Sequence, residues 1–285
     1  VARETVTLSI LTIVKNRAGH LAQLIEGLRR STVLPDELVI VDMASNPPVV
    51  TDETPFPVHI LRLDGHGLPL AAARNAAAQA ANGDKLLFLD VDCIPMRDLT
   101  GDIARCLDDR DALVCAEILY LAPDDARGQW DEADLIVHAA GHPVRQFPAT
   151  GLRQEDNAGL FWSLAFGIRR QAFFALGGFD EAFTGYGAED TDFGFRACKA
   201  GLPLLFMGGA GAFHQYHDVF DPPLQHLDDI VRNAGLFRDR WDMWPMEGWL
   251  DAFEAAGLIA RNDDIIVSIR QPSALEIAQA RVLPL

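Results

Sequence analysis

The sequence predicts an α/β domain: a mixed, mainly parallel sheet flanked by helices. Three observations carry this. Short apolar, β-branched runs alternate with amphipathic helical runs through the first half of the chain. Several of the apolar runs end in polar or acidic residues, where ligands meet the carboxyl ends of strands in such sheets. The chain has 285 residues, 49% of them hydrophobic, enough for one sizeable core, and it shows no internal repeat or low-complexity linker.

Residues 5–14 are aliphatic and β-branched and read as a buried strand. Residues 17–30 place Leu21, Leu24, Ile25 and Leu28 on one helical face. Residues 37–41 form a second short strand, followed by a loop carrying Pro47, Pro48, Pro55 and Pro57, and residues 58–63 a third. An Ala-rich helix over 70–81 closes at Asn82-Gly83, and residues 85–89 give a fourth strand that runs into Asp90-Val91-Asp92. The spacing then predicts a helix over 98–107 and a strand over 112–121. Residues 122–160 are polar and read as a mobile loop. An apolar strand containing Trp162 is expected over 161–168, and a short helix over 171–176 ends at Gly177-Gly178. A helix over 190–200 stops at Gly201, a short strand over 204–207 precedes His214, and 224–260 read as an amphipathic helical tail.

Composition narrows the function classes. Lys plus Arg number 24 against 41 Asp plus Glu, a formal charge of −17, which disfavours nucleic acid as a partner and any broad hold on anionic lipid. A phosphorylated ligand would need a local remedy, such as a cation, an arginine or a helix N-terminus. Cys93, Cys106, Cys115 and Cys198 form no CxxC pair and read as buried thiols in a reducing compartment. No run of about 18 apolar residues marks a membrane span. Residues 1–11, with Arg3 and Glu4, carry no signal-peptide core. A cytoplasmic protein is expected, with peripheral membrane association and oligomeric state left open.

Three acidic or imidazole-bearing stretches carry chemistry. Alternation along an extended chain would send Asp90 and Asp92 to one side and Val91 to the other. Two such oxygen donors suit Mg²⁺ or Mn²⁺ bridging a diphosphate, while the plainer reading is a solvated acidic turn. The second stretch, Gly185-Tyr186-Gly187-Ala188-Glu189-Asp190-Thr191-Asp192, lets backbone approach a ligand through its glycines and sets carboxylates at a helix start, with Asp190 placed to act as a base. Its plainer reading is a capped helix in which Glu189 and Asp192 serve the cap. The third is His214, with His217 as a competitor, either of which could complete a metal site. Arg74 could pair with a phosphate, a nucleobase edge, Asp42 or Asp90, or lie on a solvated helix face. Trp162 could stack on a sugar or pack in the core.

Taken together, the segment Ile10-Leu11-Thr12-Ile13-Val14-Lys15-Asn16-Arg17, the segment Phe88-Leu89-Asp90-Val91-Asp92-Cys93-Ile94-Pro95-Met96, and Gly177-Gly178-Phe179-Asp180 through Phe195-Arg196 resemble glycosyltransferase family 2. The later part resembles the domain shared by β-1,4-galactosyltransferases and polypeptide N-acetylgalactosaminyltransferases. The resemblance implies the Rossmann-like GT-A fold, a nucleotide-sugar donor (UDP favoured over GDP), Mn²⁺ or Mg²⁺, and a glycan or other hydroxyl acceptor. It implies that Thr12, Val14, Asn16, Arg17 and Asp42 line the nucleotide pocket, joined by Arg74, Asp90, Val91, Trp162 and Gly187 around the donor. It makes Asp92 and His214 metal ligands, Asp190 the base and Glu189 a holder of sugar hydroxyls. Asp42 is followed by Met43-Ala44-Ser45 rather than a second acid and Gly-Ser, a departure at the nucleobase contact.

The implied reaction is a single inverting displacement, with residues 122–160 closing over the donor. Three alternatives stand beside it: a retaining transferase, as among the N-acetylgalactosaminyltransferases; a nucleotide-sugar hydrolase; and a non-catalytic carbohydrate- or nucleotide-sugar-binding module. One domain over 1–285 is expected, with a nucleotide-binding half (1–97), a donor, acceptor and catalytic half (98–217) and a helical extension (218–285).

Overall fold

The computed structural model describes residues 7–65 and 67–282, so Arg3, Glu4 and the beginning of the first expected strand lie outside the described residues. The order is β1 (Leu8–Val14), α1 (Ala18–Arg29), β2 (Glu37–Asp42), β3 (Val58–Arg62), α2 (Leu70–Ala80), β4 (Lys85–Leu89), β5 (Cys93–Pro95), α3 (Leu99–Asp109) and β6 (Leu113–Tyr120). Then come α4 (Glu132–His138), β7 (Ala140–Gly141), β8 (Gly151–Gln154), β9 (Ala165–Arg169), α5 (Arg170–Ala175), α6 (Glu189–Lys199) and β10 (Leu204–His214). The remainder is β11 (Val219–Phe220), α7 (Leu227–Trp241), α8 (Glu247–Ala255), β12 (Ile259–Arg261), β13 (Ile266–Ser268), α9 (Ala274–Gln279) and β14 (Arg281–Val282).

The central sheet runs β3-β2-β1-β4-β9-β6-β10-β5, with β7 on β6 and β8 on β10. The pairs β1–β2, β1–β4, β2–β3 and β6–β10 are parallel; β9 enters antiparallel between β4 and β6. Strands β1, β2 and β4 are buried along their whole length, which is why they read as unbroken apolar runs. Alternate residues serve opposite faces. Ile10 and Leu38 meet Leu21, Leu24, Ile25 and Leu28 of α1, together with α3, on one side. Leu11 and Val39 meet the alanines of α2, Phe173 of α5 and Phe193 of α6 on the other.

Several expectations change. Residues 122–160 are not one loop: Trp130 and Leu135 anchor α4 in a small cluster with Ile94, Met96 and Phe213, and β7 and β8 join the sheet. Two anchors are too few to read as an apolar run. Phe161 and Trp162 precede β9 rather than lie in it, because Phe161 closes a short 3₁₀ turn through its N–H to the Ala158 carbonyl (3.1 Å). The strand expected at 204–207 continues to His214, with a register shift against β6 between Met207 and Ala212. Its Gly208-Gly209-Ala210-Gly211 stretch hid it. The tail splits into two helices, interrupted by the left-handed residues Asp242 and Met246, and then a hairpin. Asn82-Gly83 is no left-handed cap. Ala81 is extended, Asn82 bonds Glu37, and the Gly83 N–H donates to Ser9 Oγ at 2.9 Å, with no room there for a β-carbon. The four cysteines are unpaired, and among the described residues no helix is long and apolar enough to cross a membrane.

Candidate active site

The loops that leave β1 and β2 are knitted together first. Asn16 is left-handed (φ 54°); its N–H donates to Ser45 Oγ (2.9 Å) and its Oδ1 accepts from the Asn46 N–H (2.8 Å). Asp42, 1% exposed, accepts from the Ser45 N–H (2.8 Å), the Val49 N–H (3.3 Å) and Arg62 (3.0 Å). Its carboxylate therefore shapes the loop that the resemblance places near the nucleobase. Thr12 is buried, and its hydroxyl has no partner among the described residues. Val14 and Val91 turn their side chains into the apolar core, so only their backbone can face a ligand.

Asp90-Val91-Asp92 is a turn, not a continuation of β4: the Asp90 carbonyl accepts from the Cys93 N–H at 2.8 Å before β5 departs. The extended alternation expected of the two acids is therefore replaced, and each has its own partners. Arg74 Nη2 donates to Asp90 at 3.1 Å, while its Nη1 donates to Glu189 at 3.0 Å. Arg74 is 4% exposed, which rules out a solvated helix face. Burial opposes its charge, but Asp90 and Glu189 outweigh that and raise its pKa. Burial likewise lifts the Asp90 carboxyl to about 6, with Arg74 opposing. Burial and then neighbouring Asp190 lift Glu189 to about 7.

Asp92 faces Arg17, with which it makes an ion pair, and two imidazoles: His214 Nε2 at 3.6 Å and His217 Nε2 at 3.5 Å. Burial works against its charge, yet His214 and Arg17 hold its pKa below the usual carboxylate value. Burial lowers the pKa of His214, favouring the neutral imidazole that ligates metals. One atom from each of Asp92, His214 and His217 lies within 4.8 Å of the others. This donor set of one carboxylate and two imidazoles fits a divalent cation, and both histidines belong to it.

In the second stretch, Glu189 and Asp192 are not caps. Ala188, left-handed at φ 68°, precedes α6 and makes no side-chain cap bond. Glu189 turns to Arg74, and Asp190 stays partly exposed, with Oδ1 taking the Thr191 N–H at 2.7 Å. Asp192 is fully buried and accepts from Arg196 (2.7 Å), Arg240 (2.7 Å) and Trp241 (2.9 Å), tying α6 to α7. Gly187 is left-handed (φ 97°), beside Met246. Trp162 is half-buried, edge-on to His142 at 4.8 Å and under the Arg145 guanidinium at 4.9 Å. Tyr120 bridges that pair to the metal-type cluster, 5.9 Å from His142 and 5.0 Å from His214 between ring centroids.

The structure thus brings Arg17, Arg74, Asp90, Asp92, Glu189, Asp190 and His214 to one region. Tyr120, His142, Arg145 and His20 went unnoticed in the sequence. His20 had a usable signal: it lies three residues after Arg17, the residue that precedes α1, and its Nε2 lies 3.2 Å from the Tyr216 carbonyl.

Comparisons with known proteins show the family and the fold. Residues 9–177 match the family described as Glycosyl transferase family 2, and residues 149–218 match the N-terminal domain of galactosyltransferase. Because the first match covers more than half of the chain, the protein belongs to glycosyltransferase family 2. It is 26% identical over 258 residues to a hyaluronan synthase of Pasteurella multocida, covering 81% of this chain and 26% of that protein. It is 28% identical over 238 residues to a chondroitin synthase of Escherichia coli, covering 73% of this chain and 34% of that protein. The chain therefore spans only about a quarter to a third of the length of these relatives. Among solved structures it resembles S. aureus TarS 1-349 in complex with UDP-GlcNAc (TM-score 0.57, 15% identity, 82% of this chain and 67% of that one). It also resembles GalNAc-T7 with UDP, GalNAc and Mn²⁺ (TM-score 0.55, 21% identity, 74% of this chain and 43% of that one). At these identities the likeness shows the shared GT-A fold.

Proposed function

We propose that this chain moves a sugar from a UDP-sugar to an acceptor hydroxyl by a metal-dependent, inverting displacement, and that it works as one domain in the cytoplasm. The observation that carries the reading is Arg74. It holds Asp90, at the end of β4, and Glu189, at the start of α6, on one guanidinium, beside the Asp92–His214–His217 cluster. Relatives described as a hyaluronan synthase and a chondroitin synthase support sugar transfer, and neighbours described with UDP-GlcNAc or with UDP, GalNAc and Mn²⁺ support a UDP-linked donor and a divalent ion. The four unpaired thiols support the cytoplasmic reading.

Asp92, His214 and His217 would hold the ion; a mixed oxygen and nitrogen set suits a transition-metal ion better than Mg²⁺, which prefers an all-oxygen shell. When bound, the ion would neutralise the diphosphate of the leaving nucleotide. Asn16, Ser45 and Asp42 order the loops on which the nucleotide would lie. Asp190, the partly exposed member of the acidic pair, would take the acceptor proton. Glu189 and Asp90, fixed by Arg74, would hold sugar and ribose hydroxyls. Trp162 and Tyr120 would wall the sugar from water.

The test is a panel of UDP-sugars and GDP-mannose with Mn²⁺, Mg²⁺ or EDTA, read by thermal shift and by nucleotide release with and without candidate acceptors. A UDP-sugar that stabilises the protein only with metal, and turns over faster with an acceptor, is the expected result. Stabilisation by no nucleotide sugar rejects the reading, and equal turnover without an acceptor points to hydrolysis instead.

A further inference from the structure

The Gly-rich run ahead of α6 is held from one side by α7, and Asn233 stands at the centre of that contact. Asn233 is 1% exposed, and its side-chain Nδ2 lies 3.0 Å from the Thr184 carbonyl, 3.3 Å from that of Tyr186 and 2.8 Å from that of Gly187. Two N–H groups thus serve three carbonyls that the tight run cannot pair within itself. The opposite amide orientation would set Oδ1 against all three, so the donor assignment follows from the network. Oδ1 itself has no partner among the described residues, so this amide is placed for donation.

The same face of α7 continues the contact in both directions. Arg232 donates to the Thr184 carbonyl and to Asp229 (2.9 Å). The Asp229 carboxylate fills the space a side chain at Gly185 would need. Phe237 packs with Phe183 and Ala188, and Arg240 and Trp241 reach Asp192. Residues 229, 233, 237 and 240 follow helical spacing, so one stripe of α7 contacts the run from 183 to 192. Glycines give that run wide conformational freedom, and α6 brings no side-chain cap to restrain it. The restraint comes from α7, opposite a single bridge from Gly185 to Pro69 ahead of α2.

We infer that Asn233 is a positioning residue for the acidic pair: it fixes the backbone ahead of Glu189 and Asp190 and so sets where the Asp190 carboxylate stands relative to Arg74 and Asp90. This rests on the proposed role of Asp190. It also makes residues 227–241 an integral part of the active site rather than an appendage.

The test compares wild type with Asn233→Ala, Asn233→Asp and Asn233→Gln. In the Ala and Asp variants, amide hydrogen exchange in peptides covering 183–190 should quicken by about tenfold or more, while β1, β2 and β4 keep their protection. The kcat for UDP release from the best UDP-sugar should fall on the order of tenfold to a hundredfold, with UDP affinity in the presence of Mn²⁺ unchanged. Asn233→Gln, which restores the NH₂ group, should recover part of both. Unchanged exchange at 183–190 overturns the inference, as does a loss of protection spread through the sheet with UDP affinity falling in step. Should Asn233→Asp fail to fold, Asn233→Ala decides. A wild-type protein that releases UDP from no UDP-sugar defeats the proposed function, while the exchange comparison still judges the clamp.

Discussion

Arg74 and Glu189 lie 115 residues apart in the chain and meet at 3.0 Å in the interior, with the second arm of the same guanidinium on Asp90. That contact joins α2 to α6, the helix that carries the acidic pair. Removing the cation would leave the buried Glu189 and the part-buried Asp90 without this partner. Arg74→Leu is therefore expected to cost about 3–5 kcal/mol of stability, measured by urea unfolding. Arg74→Lys keeps the charge but cannot fork to both acids, and should recover only part of the loss.

The Asp92 cluster makes a second prediction. Asp92→Ala should abolish the Mn²⁺-dependent component of UDP binding in calorimetry. His214→Ala and His217→Ala should each weaken it, because both imidazoles lie within reach of the same carboxylate. Full metal-dependent affinity in His217→Ala would leave Asp92 and His214 as the only protein ligands.

Asp192 is an acid of the same run with a different task. Fully buried between Arg196, Arg240 and Trp241, it ties α6 to α7. Asp192→Ala should lower stability by about 1–3 kcal/mol, since Arg196, Arg240 and Trp241, all part-buried, lose their shared buried acceptor. The folded fraction should still bind UDP with wild-type affinity. Weakened UDP binding with unchanged unfolding would reverse that assignment.

Glu189 gives a pH prediction. Burial and Asp190 raise its pKa from 4.5 to about 7 in the folded protein. Between those values the folded state holds a proton that the unfolded state has released, so this group's contribution to stability falls as pH rises through that window. Glu189→Gln cannot titrate. The unfolding free energy of the variant relative to wild type should therefore rise from pH 4.5 to pH 7, whatever its offset at either end. A difference that is flat across the window would show that the carboxyl is not raised.

Much of this was legible in the sequence for definite reasons. Strands β1, β2 and β4 are buried on both faces, so their sequences are unbroken apolar runs, and α1 shows its buried stripe at helical spacing. The acidic motifs stood out because carboxylates are costly to bury without a purpose. What escaped was set by tertiary contact. The turn at Asp90–Asp92 depends on β5 pairing with β10, which no local pattern announces. The whole length of β10 was hidden by glycines that permit its bulge. The choice among Arg74's possible partners, the brace of α7 on the Gly-rich run, and the Tyr120–His142–Trp162 ring contacts all join residues distant in the chain.

Asp190 decides the central claim. With the best UDP-sugar and its acceptor at saturation, kcat for transfer by Asp190→Asn should fall about 10²–10⁴-fold, with donor affinity unchanged. Transfer by Asp190→Asn at the wild-type rate would contradict the account.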